Sequence, residues 1–83
     1  MSRRSEELAA ALVRTQTRLR AAEKALARFV AEGKADMRSE YGKHRDLLQA
    51  LATARNDIDV LERAMKAESE RGFDWLAAKM AVQ

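Results

Sequence analysis

Two stretches of the chain place apolar or small residues at alternating steps of four and three. The first runs through Leu8, Leu12, Thr15, Leu19, Ala22, Leu26 and Phe29, the second through Leu47, Leu51, Ala54, Ile58, Leu61 and Met65. That spacing lays each set along one stripe of an α-helix, so each stretch predicts a helix that buries one face against another helix. Ser5 is placed to cap the first, with Glu6 and Glu7 in the first turn, where the helix dipole favours negative charge. Gly33 stands where a helix ends in a left-handed residue. Helix one is therefore expected over residues 5–32, on the order of 40 Å at 1.5 Å per residue. Asp46 with Gln49 three residues on reads as a capping box opening helix two, which runs over 46–71 until Gly72 stops it.

Between them lies GKADMRSEYGKHR, residues 33–45, with two of the three glycines. Ala35, Met37, Ser39 and Tyr41 alternate with Lys34, Asp36, Arg38 and Glu40, which is the period of a strand. Ala, Asp, Lys and Glu are poor strand formers, so a loop or one stray helical turn is favoured over a short β-hairpin. Residues 73–83 read as a short third helix capped by Asp74. Phe73, Leu76 and Met80 share one side of it, and Trp75 lies off that stripe. The expected fold is all-α (or α with a very short β-hairpin): an antiparallel two-helix hairpin plus a short C-terminal helix, one small domain over 1–83.

Composition adds a constraint. A chain of 83 residues is near the size at which only about 60% of the unfolded surface is buried, and it has no cysteine to staple its core. Oligomerisation or docking is then the expected source of stability. The lack of cysteine fits a reducing compartment. The longest apolar run, Leu8 to Val13, falls far short of the roughly twenty residues a membrane span needs. Arg3 and Arg4 are followed by Glu6 and Glu7, so no secretory pattern opens the chain. A soluble protein made in a cytoplasm is expected. The net charge of +3 is uneven: residues 1–32 carry +3, residues 33–45 carry +2 and residues 46–83 carry −2. A basic first helix and an acidic second one attract each other in a hairpin, which sets orientation more than stability.

Catalytic chemistry has little to work with. His44, the single histidine, lies among charged residues, where a solvated side chain is the expected state. Asp57 and Asp59 are two apart, which on a helix points them away from each other and excludes a shared-proton pair. Gly33 and Gly42 are isolated, without the spacing of a phosphate-cradling loop. No enzyme activity, no metal and no cofactor are expected. Arg3, Arg4, Arg14, Arg18, Arg20, Lys24 and Arg28 crowd the first helix and its lead-in and could meet phosphates. No aromatic is interleaved with them and no DNA-reading motif is present, so an ordinary solvated face outweighs nucleic-acid binding. Phe73, Trp75, Leu76 and Met80 concentrate anchor-type residues beyond Gly72. They form either a partner interface or a flap folded back over the hairpin.

From Tyr41 onward the sequence resembles the gpW-like head-completion proteins of tailed bacteriophages. The likeness lies in a tyrosine closing the central hairpin, a polar linker, and a second helix with Leu47, Leu48, Ala50, Leu51, Ile58, Leu61 and Glu62. Leu26 to Gly33 looks like the end of that family's first helix and its glycine stop, so the likeness spans about residues 19–65. It implies two antiparallel helices joined by a short β-hairpin, in a ring beneath the portal that closes the head and receives the tail. The segment from Gly33 to Tyr41 is shorter than the family's two strands and the first helix is longer; both bear on the hairpin more than on the neck role. Type III secretion needle subunits are helical hairpins of similar size that turn at a proline-containing motif, and this chain has no proline.

The functional expectation is a virion subunit of a phage neck: a homo-oligomeric ring binding the portal and an adjacent neck or tail protein, with no membrane. Leu12, Leu19, Leu26, Leu51, Ile58 and Leu61 would hold the protomer together. Phe73, Trp75, Leu76 and Met80 would anchor a neighbouring chain, and Arg14 and Arg18 would face DNA in a lumen. The rivals are a small basic helical DNA-binding or regulatory protein and a coiled-coil adaptor of another complex.

Overall fold

A computed structural model describes residues 3–82, with side chains through Glu70. Two helices account for nearly all of it: α1, Arg3–Ala31, and α2, Tyr41–Val82. Between them Lys34–Asp36 and Arg38–Glu40 each form one turn of 3₁₀ helix, separated by Met37 in an extended conformation. No strand occurs among the described residues.

The helices lie against each other in opposite directions. Arg4 Nε is 2.8 Å from Glu68 Oε1, Arg18 Nη2 is 2.6 Å from Asp57 Oδ2, and the Phe29 ring stacks on that of His44 at 5.6 Å. As the number rises along α1 its partner's number falls along α2. The seam between them is the four–three stripe of each helix. Phe29, Leu51 and Ala54 are buried in it, Ala54 with 1% of its surface left, while Leu8, Leu12, Leu19, Leu26, Leu47, Ile58, Leu61 and Met65 are half-buried. Thr15, also buried, donates its hydroxyl to the Ala11 carbonyl at 2.8 Å, which satisfies the one polar side chain of the seam's middle.

At the turn, Glu32 N–H and Gly33 N–H donate to the carbonyls of Arg28 and Val30, and Gly33 takes φ +75°, the left-handed conformation that ends α1. Met37 N–H and Glu40 N–H then close the two 3₁₀ turns on Lys34 and Met37. The period-two alternation of residues 34–41 is thus overridden by local i→i+3 bonding, in keeping with residues that favour helix over strand.

Three boundaries differ from the sequence reading. Ser5 lies inside α1 rather than at its cap, since the helix already runs from Arg3. α2 begins at Tyr41, so Asp46 and Gln49 lie within it rather than opening it. The Tyr41 N–H donates to the Arg38 carbonyl as the second 3₁₀ turn runs into α2, and His44 in the first turns of α2 stacks on buried Phe29 across the hairpin. At the far end α2 passes through Gly72 to Val82 without a separate third helix. A glycine inside a helix costs only about 1 kcal/mol, which weakens a helix without breaking it.

The result is a rod, 69 × 15 × 15 Å, with a radius of gyration of 19.4 Å. A compact chain of this length would have about 12 Å. α2 is 42 residues to the 29 of α1 and starts where α1 ends. Since Arg4 is level with Glu68, the last turns of α2 continue past the end of α1.

Candidate interaction surfaces

Residues seven apart stay on one face of a helix with only about 20° of drift, so heptad sets identify the flanks of the rod. On one flank stand Arg4, Ala11, Arg18 and Ala25 of α1 and Ala50, Asp57 and Ala64 of α2. Among the described residues the two cross-helix ion pairs, Arg4–Glu68 and Arg18–Asp57, span the seam on this side. An open groove lined by Arg18, Ala22, Asp46, Gln49, Ala50 and Thr53 follows it. The opposite flank carries Ala9, Gln16, Glu23 and Val30 of α1 and Tyr41, Leu48, Arg55, Glu62 and Ser69 of α2. A second open groove, between Ser5, Ala9, Met65 and Ser69, lies there.

Of the two cations expected to face DNA, Arg18 is tied across the seam to Asp57, and Arg14 stands exposed one turn earlier on the same helix. The two therefore differ in setting: one is paired across the seam and the other is exposed to solvent. The side chains of Phe73, Trp75, Leu76 and Met80 lie outside the described residues; their backbone belongs to α2. Of the six side chains expected to hold the protomer, Leu51 is buried and Leu12, Leu19, Leu26, Ile58 and Leu61 are half-buried.

Asp57 and Asp59 diverge, the first to Arg18 and the second to Arg63 at 3.1 Å. His44 is occupied in its stack on Phe29. Among the described residues no group of three or more histidine, cysteine or carboxylate side chains is placed to hold a metal. No helix among the described residues is long and apolar enough to cross a membrane. Beside the turn, Lys34 Nζ pairs with Glu32 Oε2 at 2.9 Å, and this hydrogen bond and its charge lower the Glu32 carboxyl below its ordinary value and raise Lys34 above its own.

Sequence reasoning missed the exposed apolar residues at the turn end: Val30 at 53%, Tyr41 at 58% and Leu48 at 45%, with Met37 beside them. The seven-residue step from Tyr41 to Leu48 was a signal for a second stripe, but only the structure puts Val30 of α1 level with it. Fold and surface together define an elongated all-α rod whose two flanks differ, one of alanines and ion pairs, the other with large apolar side chains exposed toward the turn. Among known proteins, the chain matches no family model, no curated protein and no solved structure.

Proposed function

We propose that the chain is a non-enzymatic structural subunit: an antiparallel helical hairpin that works by packing against copies of itself and against neighbouring chains. We place it in the neck of a tailed bacteriophage, between the portal of the head and the next neck or tail component. The observation that carries the structural role is the poverty of the protomer's own core. Phe29 and Leu51 are its only large buried apolar side chains among the described residues, and each contributes about 1.5–3 kcal/mol. The rest of the apolar seam of this 69 Å rod is mostly half-buried, so covering it further would add to the burial that offsets the backbone entropy of the helices. The neck setting rests on the resemblance across residues 19–65. The helical turn departs from the strands that resemblance implies, so its support comes from the helices, where Leu47, Leu51, Ile58 and Leu61 all lie in the seam.

Mass spectrometry of purified virions tests the setting: the chain is expected in intact particles and in portal-containing fragments of them, and its absence from both sinks it. Truncation at Gly72 tests the anchor role of Phe73, Trp75, Leu76 and Met80. Incorporation unchanged by the loss of residues 73–83 would end that role. A second reading, duplex binding, draws on the exposed Arg14, Arg20, Lys24 and Arg28 of α1. A dedicated binder shows a steep fall of affinity with salt, a neck subunit weak binding at any salt.

A further inference from the structure

The accessible surface of the chain is 6802 Å². A compact monomer of 9.3 kDa exposes about 5,000 Å², and its unfolded chain about 13,500 Å². The hairpin therefore buries about half of its unfolded surface and carries an excess of about 1,800 Å². A standard interface covers about 800 Å² on each partner, and obligate homodimers cover more. The excess is thus the size of a permanent contact rather than a transient one.

The two flanks are not equivalent candidates for that contact. The flank bearing Arg4–Glu68 and Arg18–Asp57 has its charges satisfied within the protomer. The other has no cross-helix ion pair among the described residues, and it exposes Val30, Tyr41 and Leu48 at the turn end. Leu12, Leu19 and Leu26 of α1 also tilt toward this side and remain half-buried. We propose that a second copy of this chain lies along this flank, its turn at the same end, so that α1 of each copy faces α2 of the other in a four-helix bundle. This rests on the structural-subunit reading above and names the first contact from which a larger ring would be built.

Charge chooses the orientation. α1 has seven basic and three acidic residues, +4, and α2 has seven of each, 0. With the turns together each basic helix meets a neutral one, and with the turns opposed the two basic helices would face each other. The same orientation joins Val30, Tyr41 and Leu48 of both copies in one apolar cluster. It also brings Glu23 of each copy level with the stretch between Leu48 and Arg55 of the other.

Sedimentation equilibrium of the full chain tests this. The expected mass is twice the 9.3 kDa of the protomer. L48E buries a carboxylate without a partner and is expected to raise the dissociation constant at least about a hundredfold. A50E, on the ion-paired flank, is expected to leave the pair intact. Because the chain has no cysteine, L48C and A50C give a second measurement if L48E does not fold. The thiol of L48C should alkylate more slowly as protein concentration rises, while that of A50C should react at a constant rate. Dissociation by A50E, or equal alkylation of both thiols, overturns the assignment of this flank and leaves the broader reading standing. A wild-type chain that stays monomeric and folded at every concentration overturns both.

Discussion

Thr15 is the one buried polar residue among the described residues, and its hydroxyl donates to a carbonyl that the helix ladder already engages through the Thr15 N–H. Replacing it therefore orphans no partner. T15V is expected to leave stability unchanged or raise it by up to about 1 kcal/mol, since a methyl enters an apolar seam. Urea denaturation measures it, and a clear loss of stability would show that the hydroxyl does more than satisfy itself. Gly33 is the opposite case. A Cβ there would meet nothing within 4 Å, yet φ is +75°, so the penalty is purely one of backbone conformation. G33A is expected to destabilise by about 1–2 kcal/mol, while G33N should lose less because asparagine tolerates the left-handed region.

At the scale of elements, the hairpin is held by its seam more than by its ion pairs. Of the cross-helix pairs, Arg18–Asp57 is largely exposed and Arg4–Glu68 is exposed on its arginine side, and exposed pairs contribute about 0.2–1 kcal/mol. The Glu32–Lys34 pair at the end of α1 has a sign that can be checked. Glu32 is lowered from its ordinary 4.5, so its contribution is complete above that pH and fades as the pH falls through the lowered value. Lys34 is raised from 10.5, so its share persists through neutral pH and is lost only as the pH climbs past the raised value. Thermal melts of wild type and E32Q should converge in acid and differ slightly at neutral pH; a difference that grows in acid would contradict the pairing. The continuity of α2 through Gly72 gives another test. G72A is expected to stabilise the helix locally by about 0.5–1 kcal/mol, seen as slower amide exchange over residues 73–82. If Gly72 instead ends the helix in a left-handed conformation, the same change accelerates exchange.

For the whole molecule, shape is the controlling fact. A rod 15 Å across has almost no interior, and only Phe29, Leu51, Ala54 and Thr15 are buried among the described residues. If the missing burial comes from other copies, folding and association are one equilibrium. The melting temperature should then rise with protein concentration. A midpoint constant across a hundredfold range of concentration would mean that the hairpin stabilises itself.

The sequence by itself determined the two helical stretches, the stripes that meet between them and the glycine that ends the first, because helical periodicity and left-handed φ are local properties of the chain. It placed Leu51 and Phe29 in the seam and separated Asp57 from Asp59 for the same reason. Only the tertiary structure decided that His44 stacks on Phe29 and that the Arg18 charge is paired with Asp57, since both contacts join residues far apart in the chain. It alone distinguished the two flanks, because residues as distant in the chain as Val30 and Leu48 come to the same flank only when α1 and α2 lie side by side. Periodicity reports which face of a helix is apolar, while the side on which a second helix leaves that face uncovered is a property of the pair.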